Sequence, residues 1–583
     1  MADLIKVKIN GKEYQVEKGI TILEACRRVG IKVPTLCYLK DINAIGACRV
    51  CVCEVVGARS LVAACVYPIE REGTEIYTNS KRVLDSRRTT VELLLSNHNN
   101  SCNSCVKSGK CELQQLSQEL GCNEHHYDGV KQSFEEDVTP YLVRDNSKCV
   151  LCRRCVAACR SLQHVSVIGA NERGFNTAIG SAYELSLNDV PCVACGQCIT
   201  VCPTGALRER DNIDDVLAAL NDKTKHVVVA TAPAVRVAIG EEFGYPIGTN
   251  VEGKMVSALK MLGFDKVFDV NFTADVTIME EGTELLGRVK NGGKLPMITS
   301  CSPGWINYIE QYYPELLDHL STTKSPQGIY GALVKSYYAE KNGIDPKDIV
   351  CVSVMPCVAK KTEIRREHIN AYKEGKDVDI VLTTRELARL IKRAGIDLPC
   401  LGEDKFDNLM GESSTAGFMF GVTGGVMEAA LRTVKEAVDG KPLEKLDFTA
   451  VRGTKGIKQA KVELGGKPAK VLIAHGIENA HTVMEQLKAG KLNDVVFIEI
   501  MCCPGGCVTG GGQPIQPAEV LNNIDVKAVR AKAIYAADKK ATLRKSHENS
   551  EVKKLYAEYL GEPNSHKAHD LLHTHYINRK KII

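Results

Sequence analysis

Apolar and polar positions alternate with a period of two at the start of the chain, where Lys6 and Lys8 separate Ile5, Val7 and Ile9. Asn10-Gly11 then leads into E-Y-Q-V-E, so the pattern predicts a β-hairpin with a type I′ turn. Thr21 is placed to cap the following helix, I-L-E-A-C-R-R-V, which Gly30 ends. The stretch D-N-I-D-D-V-L-A-A-L-N-D predicts a short connecting helix. From residue 226 the texture changes. H-V-V-V-A-T-A-P, K-L-P-M-I-T-S-C, D-I-V-C-V-S-V-M-P-C, K-V-L-I-A-H-G-I and D-V-V-F-I-E-I-M-C-C run apolar between amphipathic segments. Such runs predict parallel strands covered by helices on both faces. The expected fold class is α/β for a large C-terminal domain, with smaller α+β units before it. Three of the strands end in cysteines: Cys301, Cys357, and the turn carrying Cys502, Cys503 and Cys507. Ligands sit beyond the carboxyl ends of strands in open α/β sheets, so these loops are expected to converge on one buried site.

A chain of 583 residues suggests roughly four domains. The formal net charge of +4 is close to neutral for this size and gives nucleic-acid binding no electrostatic support. No apolar run is long enough to span a membrane. M-A-D-L-I-K-V-K-I-N-G lacks the basic and apolar regions of a signal peptide, so a cytoplasmic location is expected. Thiols are kept reduced there, and the 25 cysteines then read mostly as metal ligands rather than disulfides.

Their spacing separates three N-terminal domains, at 1–80, 81–127 and 128–212, from the large domain at 213–583. Cys37, Cys48, Cys51 and Cys65 follow the hairpin and helix as C-x10-C-x2-C-x13-C. The arrangement resembles a plant-type ferredoxin domain holding [2Fe–2S], although the plant spacing begins C-x4-C. The wider gap is similar to the cluster domain of the large iron–sulfur subunit of respiratory complex I. Cys26 and Cys53 fit no ligand position and read as core. His98, Cys102, Cys105 and Cys111 form a tetrahedral set that zinc would also accept. The same spacing follows the same domain in complex I and in iron-only hydrogenases, where it binds [4Fe–4S]. Cys122 is left over. Cys149, Cys152, Cys155 and Cys159 form C-x2-C-x2-C-x3-C, and Cys192, Cys195, Cys198 and Cys202 repeat it. In this two-cluster ferredoxin pattern each run's fourth cysteine ligates the other cluster. Cys202 is therefore expected with Cys149, Cys152 and Cys155, and Cys159 with Cys192, Cys195 and Cys198.

T-S-C-S-P-G-W (299–305), M-P-C-V-A-K-K-T-E (355–363) and E-I-M-C-C-P-G-G-C-V-T-G-G-G-Q-P (499–514) resemble the three signature motifs of [FeFe]-hydrogenases, and the likeness covers essentially the whole chain. It implies an H-cluster, a [4Fe–4S] cube joined through a cysteine sulfur to a diiron subsite with CO, cyanide and azadithiolate. It also implies one accessory [2Fe–2S] and three accessory [4Fe–4S] clusters as an electron wire. Cys357 and Cys503 match cube ligands, and Cys507 matches the ligand shared with the diiron subsite. Lys360 matches the donor to a cyanide, with Glu363 orienting it. Gln327, Met355, Phe420 and Met501 match residues lining the diiron pocket. Ala234 stands where relatives often donate a serine hydroxyl, and would lose that bond. Glu281, Glu284 and Arg288 share a face if helical. A solvated charged face would look the same, but these residues and Ser321 all match the family's proton relay.

The chain departs from the family at one pair. Many relatives have T-S-C-C-P-G-W, with a relay thiol followed by a cube ligand; here the pair is Cys301-Ser302. Cys502, in turn, stands where relatives commonly have alanine. Three arrangements follow. Ser302 ligates through oxygen; or Cys301 becomes the ligand and Ser302 the relay; or Cys502 supplies the missing thiolate. The activity implied is reversible formation of H2 from protons and electrons, after diiron-site insertion by maturation proteins. Electrons would come from ferredoxin, or from NAD(H)-linked flavoprotein subunits in an electron-bifurcating complex. The chain itself has no G-x-G-x-x-G opening a helix after a strand. A non-catalytic hydrogen sensor or iron–sulfur scaffold is the reading from another class. The histidine-bearing tail H-K-A-H-D-L-L-H-T-H-Y-I-N-R-K-K reads as a basic surface helix, with a metal site as its alternative.

Overall fold

The N-terminal hairpin pairs Leu4–Ile9 antiparallel with Lys12–Glu17 in a computed structural model that describes residues 3–122, 127 and 130–581. Asn10 and Gly11 both take positive φ, 49° and 81°, as a type I′ turn requires. The hairpin belongs to a five-stranded sheet completed by Val52–Val55, Val62–Ala63 and Glu75–Tyr77. The Thr21 hydroxyl accepts the N–H of Glu24, and helix Ile22–Arg28 buries Ile22, Leu23, Ala25 and Cys26. Cys26 and Cys53 lie in this core, as expected.

Helices Lys81–Asn97 and Glu112–Glu119 flank the next set, with His98 capping the end of the first, Cys111 the start of the second, and Cys102 and Cys105 on the turn between. Beyond them, Asp137–Val138, Leu142–Arg144 and Leu207–Glu209 form a three-stranded sheet against short helices Arg154–Ala157 and Gln197–Thr200. The internal repeat is visible in the backbone. Leu151 and Arg153 in the first cysteine run, and Ala194 and Gly196 at matching places in the second, are all left-handed, which wraps each loop around its thiols. The connecting helix is Ile213–Asn221.

All five apolar runs of the C-terminal domain are strands, but they divide between two four-stranded sheets. The first, in order Lys266–Asp269, His226–Thr231, Ile349–Met355, Ile380–Thr383, is wholly parallel. The second runs Met297–Ile298, Val495–Met501, Lys467–His475, Ile457–Leu464. Its last pair is antiparallel, and the edge strand alternates buried and exposed positions because one face meets solvent. Helix Val270–Asn291 packs on helices Pro326–Leu333, Thr415–Met419 and Gly425–Asp439 and is buried along most of its length.

The tail is a surface helix in part, as expected: His566–Leu572 exposes His566, Lys567, His569 and Asp570 but buries Ala568 and Leu572, and His573 beyond it turns inward. The His573 Nε2 lies 3.1 Å from Glu280 Oε2, and its Nδ1 lies 2.8 Å from Thr322 Oγ1. Glu280 is fully buried and takes further hydrogen bonds from the Tyr556 hydroxyl and the Asn564 N–H. A buried carboxylate needs such partners, and this one sits almost 300 residues earlier in the chain, beyond the reach of any local pattern.

Candidate metal centres and proton relay

In the N-terminal domain the thiols of Cys37, Cys48, Cys51 and Cys65 face one another within hydrogen-bonding reach. His98 is buried, which depresses its imidazole to about 4, and its Nδ1 has no hydrogen-bond partner among the described residues. Cys105 and Cys111 are electrostatic neighbours. Cys105 also needs Gly205 opposite it, since a Cβ there would lie 2.6 Å from its sulfur. Cys149, Cys152, Cys155 and Cys202 line one cavity. Cys159 faces Cys192 and Cys195, with Cys198 beside all three. The fourth thiol of each run thus lies with the other run's first three.

The C-terminal loops meet at a second cavity, at the carboxyl ends of strands from both sheets. Cys357 follows Ile349–Met355, Cys301 follows Met297–Ile298, and Cys503 and Cys507 follow Val495–Met501; all four border the cavity. Met355, Phe420, Met501, Gln327 and Lys360 complete much of the wall. Ala232 and Pro233 line it too, whereas Ala234 packs outside, among Phe418, Met419 and Ile534. Gly510 explains how the loops come so close: a Cβ there would sit 2.1 Å from the Pro356 carbonyl oxygen.

Lys360 is held by a buried network. Its ammonium donates to Ser325 Oγ at 2.7 Å and Glu363 Oε2 at 2.8 Å. Ser325 and Gln327 also donate to Glu363 Oε2, at 3.0 and 2.9 Å, and Ser353 donates to Gln327 Oε1. One cation on one carboxylate, with the ammonium also donating to a neutral hydroxyl and the carboxylate also accepting from neutral donors, can survive burial. Ser325 escaped the sequence reading; its signal was its place as N-cap before Pro326. Glu499 escaped too. Buried within an apolar strand, its carboxylate accepts the N–H groups of Gly424 and Met427, at 2.6 and 2.7 Å, where helix Gly425–Asp439 begins. It faces Cys301 and Cys507.

Glu281, Glu284 and Arg288 do lie on one helix, Val270–Asn291, but not on a solvated face. Glu281 is buried, and burial with the nearby Glu284 pushes its carboxyl up to about 8. It faces Cys301 as well as Ser321 and Glu284, and its Oε2 has no partner among the described residues. Ser321 Oγ donates to Glu284 Oε2 at 2.8 Å, and Arg288 binds Glu284 Oε1 through Nη2 and Nε, at 2.6 and 3.1 Å. These groups form a path from the cavity thiol to a partly exposed guanidinium.

A family described as "Iron only hydrogenase large subunit, C-terminal domain" matches residues 225–511. Its "Iron hydrogenase small subunit" counterpart matches residues 524–579. A "2Fe-2S iron-sulfur cluster binding domain" matches 2–81, an "NADH-ubiquinone oxidoreductase-G iron-sulfur binding region" 87–126, and a "4Fe-4S dicluster domain" 148–206. The chain is 46% identical to the NADP-reducing hydrogenase subunit HndD of Solidesulfovibrio fructosivorans, over 99% of this chain and 100% of that protein. It is 43% identical to iron hydrogenase 1 of Clostridium pasteurianum, over 97% and 99% of the two chains. The chain belongs to the [FeFe]-hydrogenase family. A solved structure of the [FeFe]-hydrogenase HydA1 from Chlamydomonas reinhardtii agrees in fold, with a TM-score of 0.57 and 42% identity over 64% of this chain and all of that one.

This [FeFe]-hydrogenase interconverts protons, electrons and H2, and it carries an H-cluster domain together with 2Fe-2S and 4Fe-4S binding domains. The C-terminal cavity fits an iron–sulfur group on its own chemistry. Several soft thiols converge beside the Lys360 side chain, in a mostly apolar wall that includes thioether, aromatic and proline groups. When bound, the H-cluster supplies the redox chemistry and the site of H2 formation. The chain offers a thiol at Cys301 and an amine at Lys360 in the wall, and behind Cys301 the carboxyl of Glu281, which burial raises to about 8.

In the corner that departs from the family, Ser302 Oγ accepts the N–H of Cys502 at 3.2 Å. The Cys502 thiol is buried against those of Cys195 and Cys503 and reaches Gln163 Oε1 at 3.6 Å. Among the described residues no helix is long and apolar enough to cross a membrane.

Proposed function

We propose that Cys357, Cys503 and Cys507 hold the H-cluster of this hydrogenase and that Lys360, oriented by Glu363 and Ser325, donates to its cyanide. Gln327, Met355, Phe420 and Met501 shield the diiron side, and Ala234, packed outside the wall, supplies no donor to it. Protons pass between Cys301 and the surface through Glu281, Ser321, Glu284 and Arg288. The observation that carries this reading is the convergence of three strand-end cysteine loops, from two sheets, beside a buried Lys–Glu pair. The chain would be loaded by diiron-site maturation proteins. Absence of H2 turnover after such loading would overturn the reading.

One [2Fe–2S] cluster on Cys37, Cys48, Cys51 and Cys65, and a [4Fe–4S] cluster on His98, Cys102, Cys105 and Cys111, begin the wire. Two further [4Fe–4S] clusters, on the crossed sets of the repeat, lead to the cavity. The domain limits 1–80, 81–127, 128–212 and 213–583 follow these sets. The partner is an NAD(P)-linked flavoprotein subunit, a reading supported by the end-to-end likeness to a subunit of an NADP-reducing hydrogenase. The likeness to iron hydrogenase 1 supports direct exchange with ferredoxin as the second reading. The location is cytoplasmic in either case. Assayed alone, the purified chain is expected to turn over with reduced ferredoxin and with neither NADH nor NADPH under both readings; adding a flavoprotein partner separates them, because only the subunit then gains nucleotide-linked turnover.

A further inference from the structure

The Ser302–Cys502 corner bears on where the cube's remaining thiolate comes from, given the reading of the cavity proposed above. We propose that Cys502 is the fourth protein ligand of the cube, beside Cys357, Cys503 and Cys507. Residue 302 offers only a hydroxyl, a harder donor than iron–sulfur clusters take. That hydroxyl is already engaged, accepting the Cys502 N–H, and the bond draws the backbone of residue 502 into the corner that residue 302 borders. Cys502 lines the same cavity as the other three cysteines and is buried.

Space has been left for its sulfur. A Cβ on Gly304 would lie 2.6 Å from Cys502 Sγ, so the thiol lies over the first turn of helix Pro303–Tyr312, the helix that residue 302 caps. A thiolate from 502 and one from 302 would therefore approach the cube from one side. The sulfur faces the Cys195 and Cys503 thiols, and its contact to Gln163 Oε1 is long, at 3.6 Å, so no strong acceptor holds it. Cys301 is committed elsewhere. It faces Glu281, Glu499, Lys360 and Cys507, and turning it toward the cube would detach the relay from the cavity. On loading, the Cys502 S–H bond is replaced by an S–Fe bond and the proton leaves to solvent; no electron is transferred.

The test uses the full chain produced without the diiron-maturation proteins, with iron per chain and the electron paramagnetic resonance of the reduced cube as readouts. Cys502→Ala is expected to lose the cube's iron and signal while the accessory-cluster signals persist. Ser302→Ala and Cys301→Ala are expected to keep both. Moving the thiol, in Ser302→Cys with Cys502→Ala, is expected to restore the cube, and this double variant excludes a mere folding defect. A complete cube in Cys502→Ala, its loss in Ser302→Ala, or loss of accessory iron instead of the cube would each overturn the proposal. Cys357→Ala is the control. If it too leaves iron and spectrum unchanged, the cavity reading fails; if it alone loses the cube, only the role of Cys502 fails.

Discussion

In the N-terminal third, thiols gather from short loops: Cys149, Cys152 and Cys155 reach one cavity because two left-handed residues curl the chain between them. At the C-terminal cavity the thiols arrive on three strands, following Ile298, Met355 and Met501, and the gathering is done by sheet geometry. The surroundings differ as well. Around the catalytic cavity lie Lys360, Glu363, Glu281 and Glu499, all buried. A loop-built site needs little beyond its own backbone. A site built from distant strands needs a large folded domain to hold it, and that domain can surround the metal with fixed charges no short loop would support.

The comparison can be broken by experiment. Replacing Cys357 or Cys503 by alanine should abolish H2 turnover, exceeding the ~10–100-fold cost of losing an outer partner, while N-terminal resonance signals persist. Loss of those signals too would show that the two regions do not load independently. Glu281→Gln should lower turnover by ~10²–10⁴ with iron content unchanged, because a proton carrier rather than a ligand is removed. The same residue sharpens the contrast by pH. With its carboxyl raised to about 8, Glu281 should show a protonated carboxyl band in infrared spectra at pH 7 that disappears as pH rises through that value and is absent in Glu281→Gln. The sign for stability follows: burial opposes the charged form, so this group's contribution falls as pH climbs from the ordinary carboxylate range toward 8.

Lys360→Gln strands the Glu363 carboxylate and should cost about 3–5 kcal/mol of stability, read in chemical denaturation. His98→Ala should have the smallest effect on the catalytic cavity. It should remove one cluster and slow electron delivery, yet change H2/D2 isotope exchange by less than about twofold, since distant sites act independently. A large fall in exchange would mean that the wire shapes the catalytic cavity itself.

What could be read from the residues divides along the same line. The hairpin, its Asn10-Gly11 turn and the cysteine runs were legible because each is a local pattern. All five C-terminal strands were legible as apolar runs, but nothing local says which strands are neighbours, so their division between two sheets was not. Ser325 and Glu499 act through partners brought near only by folding. In the tail only the inward turn of His573 was missed, for the same reason, since its partner Glu280 lies far away in the sequence.

One contact between the two regions carries a consequence for electron traffic. Gly511, four residues after Cys507, lies so close to the Cys195 carbonyl that a Cβ would come within 2.2 Å of it, and Gln197 donates to the Thr509 carbonyl at 3.0 Å. Main chain from the cradle of the catalytic cavity therefore rests on main chain from the last accessory loop. Tunnelling rates fall exponentially with separation, and here the two loops meet main chain against main chain, with the Gln197 amide tying them together. With the ligand sets proposed above, the length of the final hop is set by the fold. Any motion that accompanies partner docking has to be absorbed nearer the hairpin domain, and the interval between the last two clusters should stay constant whether the partner is present or not.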